Sequence, residues 1–429
     1  MKLLPEALPS PQSPPLFSIL TLGCKLNSYE SEDLAKKLRE IGFKENNEKF
    51  DLIIINSCAV TDKALKKTLK LCRQKKREMP LAKLIVFGCG VRLFEEQFSK
   101  VAEHTFPYSD QVFSYLGDTK APLELHDKTE EVARLKIKTR TRKLIKIQEG
   151  CDNFCSFCIV CLARGRSANR PDKEIIREIN EASQGGYREI VLTGTNIASY
   201  GCNNTQQYQK TKFSSLLKKI LEKTSIERIR LSSLGPQYLD EDFLALIEEE
   251  RLCHHFHLSL QHTEDEILQG MRRPYDQKKI KDLIYKIKKT RPDACIATDI
   301  IVGFPSEVRE NFEKLKKNLK KLPLSRIHVF PFSPRQKTAA YKLKTLPAEE
   351  VANRAKDLNI IAQEKWKLFL ERSINTKQKV LLETNTAGHS KNYLPILLAD
   401  GEGASIGEVI EVEIMKFCKR QKVLLGKKI

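Results

Sequence analysis

Apolar positions along this chain fall into two alternating patterns, short continuous runs and longer stretches with helical spacing. Residues 16–22 form an apolar run that ends at Gly23-Cys24, and a helical pattern follows from about 28 to 41, stopped by Gly42. Residues 52–55 form a second run, ending at Asn56-Ser57-Cys58, after which Thr61 is placed to cap a helix reaching Pro80. A third run, 84–87, ends at Gly88-Cys89. Strands alternating with helices in this way predict a parallel α/β sheet.

The alternation resumes after a break. Strand-like runs at 144–148, 189–192, 228–231, 255–260, 296–302 and 326–331 are separated by helical patterns at 172–184, 213–224, 239–250, 276–291 and 307–321. Six such repeats predict a complete or partial α/β barrel, with its chemistry at the C-terminal strand ends. A long helix at 347–373 leads to short strands at 378–383, 393–398, 409–414 and 422–425, interrupted by Gly388, Gly401, Gly403 and Gly407. That pattern predicts a small β-barrel of OB-like kind, a frequent nucleic-acid platform. The expected organisation is a disordered tail at 1–15, an α/β domain at 16–121, a linker at 122–143, the barrel at 144–373 and the β-domain at 374–429.

Composition narrows the partners. The 429 residues exceed the usual single-domain range, and 75 Lys and Arg against 55 acidic residues leave a formal charge of +20. Such an excess points to a polyanion, most simply nucleic acid, as the partner. Residues 63–77 hold eight basic and no acidic residues, and 134–146 hold seven and none. The proline-studded first fifteen residues read as neither a signal peptide nor an anchor, and no apolar run is long enough to cross a bilayer. Twelve cysteines in such a chain predict reduced thiols or metal ligands in a cytoplasmic setting.

Their placement carries the chemistry. Cys151, Cys155 and Cys158 stand at C-x3-C-x2-C spacing just past the first barrel strand. Three thiolates on a four-iron cube leave one iron open to a substrate or cofactor. A zinc site is the alternative, with Cys161 as the candidate fourth ligand. Cys24, Cys58 and Cys89 each follow a strand of the predicted parallel sheet, whose C-terminal edge is where open α/β folds bind ligands. These three read as a second three-thiolate site.

At these residues the chain resembles the methylthiotransferases of the radical S-adenosylmethionine superfamily. The resemblance runs from about Phe17 to the C-terminus. It rests on the segments at 21–27, 56–58, 87–89, 147–151, 163–167, 298–305 and 328–334. It implies a flavodoxin-like N-terminal domain, a partial barrel and a C-terminal RNA-binding β-domain of the TRAM type. It further implies two [4Fe–4S] clusters, a radical-generating one on Cys151, Cys155 and Cys158 and an auxiliary one on Cys24, Cys58 and Cys89. Thr193, Gly194, Asn196, Ser232, Gln261 and Asp299, at the expected barrel mouth, become candidate S-adenosylmethionine contacts. The wording of residues 23–32 resembles the MtaB-type branch, which acts on N6-threonylcarbamoyladenosine at position 37 of tRNA. Sister branches act on isopentenyladenosine at that position or on an aspartate of a ribosomal protein. Four positions depart from the family: Cys161 stands for a usual proline, His262-Thr263 for Ser-Gly, and Gly235 for a commonly acidic residue.

The chemistry so implied replaces hydrogen on adenine carbon 2 by sulfur, a step requiring radical cofactor chemistry because that C–H bond is strong and not acidic. One S-adenosylmethionine would supply the radical and a second the methyl group. Both clusters would face one cavity, the anticodon loop of a tRNA would present the base, and a reduced flavodoxin or ferredoxin and a sulfur source would complete the reaction. The rival of another class is a non-catalytic, zinc-containing RNA-binding protein.

Overall fold

The computed structural model describes residues 14–46, 50–118, 141–202, 212–399, 404–418 and 420–429. The expected tail up to residue 13, most of the expected linker and basic residues 134–140 lie outside them. The chain divides into two compact units, 1–138 with 159–165, and 139–158 with 166–429.

The first unit contains β1 (Leu16–Thr21), α1 (Lys25–Glu40), β2 (Lys44–Glu45), β3 (Leu52–Ser57), α2 (Asp62–Glu78), β4 (Lys83–Gly88), α3 (Cys89–Phe98), β5 (His104–Phe106) and α4 (Ser109–Asp118). All five strands are parallel, in the order β2-β1-β3-β4-β5, the flavodoxin-like order. Alternation along β3 and β4 explains the two faces. Ile54, Ile85 and Phe87 pack with Leu34, Leu38 and Val112 on one side, whereas Ile53, Ile55, Leu84 and Val86 pack with Leu65, Leu69 and Phe98 on the other. Thr61 caps α2, its hydroxyl accepting from Ala64 N at 3.1 Å. The edge strands β2 and β5 have only two and three residues, too few to leave a periodic signal.

The second unit runs through β6 (Arg142–Lys146) and β7 (Gln148–Glu149). The intervening helix α5 (Val160–Arg164) belongs to the first unit. The chain continues with β8 (Ala168–Asn169), α6 (Asp172–Gln184), β9 (Glu189–Thr193), α7 (Lys212–Lys223), β10 (Arg228–Leu231), α8 (Glu241–Leu246), β11 (His255–Gln261), α9 (Asp265–Gly270), α10 (Gln277–Thr290), β12 (Cys295–Val302), α11 (Arg309–Lys321), β13 (Arg326–Pro331) and α12 (Ala348–Glu371). Strands β10-β9-β6 and β11-β12-β13 form two parallel sheets, joined by parallel bridges Ile229↔Leu252 and Leu234↔Leu258. The six strands expected from the sequence are all present, forming an open, partial barrel around one continuous apolar core. The helix expected over 239–250 is shorter, beginning where Asp240 accepts from Phe243 N at 3.0 Å and ending at Leu246.

Strands β14 (Lys377–Leu382), β15 (Ala387–Ser390), β16 (Pro395–Leu398), β17 (Val409–Cys418) and β18 (Val423–Lys428) close a five-stranded barrel. The sequence reading placed a break at Gly388, but that residue lies inside β15. A Cβ there would fall 2.1 Å from the Leu381 carbonyl oxygen, so the glycine is what lets β15 approach β14.

This small barrel is fastened to the N-terminal ends of the core strands. Glu189, fully buried, accepts from Arg228 Nε and Arg230 Nε, each at 2.6 Å, and pairs with Arg142 Nε at 2.9 Å. The outer nitrogens of Arg228 reach the Lys379 and His389 carbonyls, and those of Arg230 reach the Lys391 and Ser390 carbonyls, at 3.0–3.1 Å. Burial alone would raise the Glu189 carboxyl, but Arg230, Arg228 and Arg142 outweigh it and hold it at about 2. No helix among the described residues is long and apolar enough to cross a membrane.

Candidate iron–sulfur and cofactor sites

Each unit carries one cysteine triad. In the first, Thr21 lies opposite Asn56 and Ser57 opposite Gly88, so the C-terminal ends of β1, β3 and β4 share one edge. Cys24 is the residue before α1, Cys58 follows β3 directly and Cys89 opens α3. The order reverses between β1 and β3, and such switch points are where doubly wound sheets hold ligands. Cys58 and Cys89 are buried, whereas Cys24 is exposed.

A polar lattice fixes these three turns. Asn27 donates to Asn56 Oδ1 at 2.9 Å and to the Ser57 carbonyl at 3.1 Å, while its own Oδ1 accepts from Cys24 Sγ at 3.2 Å. Asn56 returns a bond to the Asn27 carbonyl at 2.9 Å. The Ser57 hydroxyl donates to the Phe87 carbonyl at 2.6 Å and accepts from Gly90 N and Val91 N at 3.0 and 3.3 Å, tying β3 to the start of α3. Arg164 is buried among them. It donates to Glu30 at 2.7 and 3.2 Å and to Asn27 Oδ1 at 3.1 Å. Burial pushes the Cys89 thiol up to about 11, against the pull of Arg164. Burial disfavours the Arg164 charge too, but Cys89 and Glu30 beside it keep its pKa above the ordinary arginine value.

In the second unit, Cys151, Cys155 and Cys158 sit half-buried on the loop that follows β7. Gly150 N donates to Thr195 Oγ1 at 3.1 Å. Buried Gln148 donates to the Gly150 carbonyl at 2.6 Å and to Ser167 Oγ at 2.8 Å, and accepts from Asn196 N at 2.9 Å. The loop is thereby tied to the end of β9. Phe154 takes a positive φ of 44°, with the Arg166 guanidinium 4.6 Å from its ring centroid. Ser156 anchors the middle of the loop, donating from N to the Met271 carbonyl at 3.1 Å and from Oγ to the Gly270 carbonyl at 2.8 Å. Arg273 Nη1 lies 3.1 Å from Cys155 Sγ.

The six candidate cofactor contacts all lie on the barrel strands or at their C-terminal ends. Thr193 closes β9, Gly194 backs onto the Gln148 carbonyl, and Asn196 and Ser232 follow β9 and β10. Gln261 ends β11 at φ 70° beside a bulge that shifts the register between Leu258 and Gln261. Asp299, on β12, meets His257 Nε2 at 3.0 Å, and His257 Nδ1 meets Ser233 Oγ at 2.9 Å. Asn196 Nδ2, Ser232 Oγ and both polar atoms of Gln237 are buried without a hydrogen-bond partner. Buried polar atoms ordinarily find partners, so this cradle suits a ligand rich in donors and acceptors, as S-adenosylmethionine is.

All twelve cysteines are free thiols, a donor set suited to iron–sulfur clusters. Among the described residues no three His, Cys, Asp or Glu side chains converge on a single-ion site. Sequence reasoning assigned no role to Arg164, Glu30, Gln148, Gln237 or Arg273. A lone charged or amide residue announces nothing until burial shows what it serves. Of the departures from the family, His262 is buried beside Glu307 at 3.5 Å. Gly235 lies against Asn196 and Gln237, where a Cβ would come within 3.2 Å of both.

Comparison with known proteins agrees with this geometry. Residues 145–319 match the family model described as the Radical SAM superfamily, and residues 17–109 match that described as Uncharacterized protein family UPF0004. The threonylcarbamoyladenosine tRNA methylthiotransferase MtaB of Rickettsia prowazekii is 30% identical over 407 residues, covering 92% of this chain and 94% of that protein. The tRNA-2-methylthio-N(6)-dimethylallyladenosine synthase of Clostridium tetani is 32% identical over 434 residues, covering 93% and 94%. Among solved structures, the radical S-adenosylmethionine methyltransferase TsrM from Kitasatospora setae, solved with cobalamin and a [4Fe–4S] cluster, shares the fold. Its TM-score is 0.53 at 13% identity, covering 74% of this chain and 75% of that one.

Proposed function

The chain belongs to the tRNA methylthiotransferases of the radical S-adenosylmethionine superfamily, and from that premise we infer that it converts N6-threonylcarbamoyladenosine at position 37 of tRNA to its 2-methylthio derivative. Members of this family use S-adenosylmethionine and carry two [4Fe–4S] clusters. The observation that supports the reading is the placement of two cysteine triads on one chain, Cys24, Cys58 and Cys89 after strands of a flavodoxin-order sheet and Cys151, Cys155 and Cys158 on the loop that follows β7. The wording of residues 23–32 supports the threonylcarbamoyl branch, and the burial of Asn27, Glu30 and Ser31 gives that wording a structural role beside Cys24.

Cys151, Cys155 and Cys158 would hold the cluster that binds S-adenosylmethionine, and Cys24, Cys58 and Cys89 would hold the auxiliary one. When bound, these groups supply the one-electron chemistry and the sulfur that no side chain here can provide. The protein's part is positional. Asn196, Ser232 and Gln237 would offer their unpartnered polar atoms to the cofactor, with Thr193, Gly194, Gln261 and Asp299, on or after the barrel strands, as further candidates. The Gln148 amide fixes the loop to the turn after β9 that carries Asn196. A reduced flavodoxin or ferredoxin would deliver electrons.

The tRNA backbone would meet two basic surfaces. On α2, Lys63, Lys67, Lys70, Arg73 and Arg77 are exposed and free of ion pairs among the described residues, unlike Lys66, Lys75 and Lys76. On the C-terminal barrel Lys377, Lys379, Lys416, Lys422, Lys427 and Lys428 are exposed. Phosphate contacts of this kind make affinity steeply salt-dependent. Position 37 lies in a single-stranded loop, so its base can leave the stack at modest cost.

Nucleoside mass spectrometry of tRNA from cells lacking this protein tests the reading. Loss of 2-methylthio-N6-threonylcarbamoyladenosine, restored by the intact gene, is expected. Loss of the methylthio-isopentenyl nucleoside instead would move the chain to the sister branch. Unchanged tRNA with an unmodified ribosomal aspartate would overturn the tRNA assignment.

A further inference from the structure

Buried arginine side chains stand beside both triads, and they differ in how their charge is balanced. Arg164 lies against Glu30 with two bonds of 2.7 and 3.2 Å, and Arg92 stands 4.0 Å from the same carboxylate, so two arginines share one counterion next to Cys24 and Cys89. Arg273 has no such counterion. Its Nε donates to the Tyr275 hydroxyl at 2.6 Å, Nη2 to the Ser259 carbonyl at 2.7 Å and Nη1 to Cys155 Sγ at 3.1 Å, and among the described residues no carboxylate pairs with it. The Tyr275 hydroxyl is itself 2.9 Å from the Ser259 and Leu260 carbonyls, which pins the arginine to the end of β11. The guanidinium is therefore a fixed cation with no carboxylate partner among the described residues, held between the Tyr275 hydroxyl, the Ser259 carbonyl and the Cys155 sulfur.

We propose that Arg273 sets the reduction potential of the loop-held cluster, by donating a hydrogen bond to the Cys155 thiolate and placing unbalanced positive charge beside it. The inference rests on Cys155 being a cluster ligand. Hydrogen bonds to cluster sulfurs and nearby positive charge both favour the form carrying the extra electron, and a partly dry site screens neither strongly. Arg273 is a positioning and tuning residue, acting through Cys155.

Redox titration followed by electron paramagnetic resonance, on anaerobically reconstituted full-length protein without S-adenosylmethionine, tests this. Two backgrounds isolate the clusters: Cys24→Ala/Cys58→Ala/Cys89→Ala keeps the loop cluster, and Cys151→Ala/Cys155→Ala/Cys158→Ala keeps the other. The expected result is a lower midpoint for the loop cluster in Arg273→Gln, a smaller drop in Arg273→Lys, and no change for the strand-end cluster. An unchanged midpoint with full iron content, or an equal shift in both clusters, overturns the proposal. A change confined to S-adenosylmethionine affinity overturns it equally, because it would make Arg273 a ligand of that cofactor. Should Arg273→Gln fail to assemble its cluster, Arg273→Lys and Tyr275→Phe carry the decision, and wild-type midpoints in both overturn it. Iron content that stays the same when Cys155 is replaced would instead remove the underlying ligand assignment.

Discussion

Cys24, Cys58 and Cys89 stand on three strands of one sheet, whereas Cys151, Cys155 and Cys158 share a single loop. The strand-end triad exists only once β1, β3 and β4 have paired in register, and a lattice of buried amides, a hydroxyl and an arginine holds their ends. The loop triad is set by local spacing and needs only a few anchors, chiefly Gln148, Ser156 and Arg273. One site is a product of tertiary structure and the other nearly of primary structure. Disturbing the frame should therefore damage the first through stability and the second through its cluster alone.

The largest effects should come from the cysteines themselves, and they should separate the two roles. Cys151→Ala is expected to abolish reductive cleavage of S-adenosylmethionine, measured as 5′-deoxyadenosine release. Cys89→Ala should leave that release in place and abolish methylthiolated product. Equal loss of both activities in both variants would erase the distinction.

Next in size is Arg164→Met, which leaves the Glu30 carboxylate buried without its main partner, since Arg92 is 4.0 Å away. Breaking such a pair costs about 3 kcal/mol. The loss should appear in denaturant unfolding of the N-terminal unit, and adding Glu30→Gln should return part of it. Gly88→Ala ranks third. At φ 98° a Cβ would fall 2.5 Å from Asn56 Oδ1, and a side chain in that position costs about 2 kcal/mol. Hydrogen exchange should quicken in β3 and α3 while β9–β13 keep their protection. The smallest effect belongs to the loop. Arg166→Ala removes an exposed guanidinium over Phe154, worth about 0.5 kcal/mol, and thermal unfolding should barely move.

The same contrast explains what could be read in advance. The C-x3-C-x2-C spacing is visible in eight letters. The strand-end triad was legible only because each apolar run ends at a cysteine and a parallel sheet sends those ends to one edge. The six core strands were legible because short apolar-rich runs alternate with helically spaced stretches along this part of the chain. Strand β15 was not, because the glycine that permits its close pairing is also the commonest sign of a break. Nor were Glu189 and its arginines, whose letters match those of any solvated strand edge. Gln237 and Arg273 stayed silent because their meaning lies in partners far away in sequence or, for Gln237, in having none.

Iron and sulfide quantified per chain, with Mössbauer spectra, in the wild type and the two triple-alanine variants test the pair of sites most directly. Two [4Fe–4S] clusters are expected in the wild type and one in each variant. A wild type that saturates at one cluster, or a triple variant that still holds two, would contradict the existence of two independent three-thiolate sites.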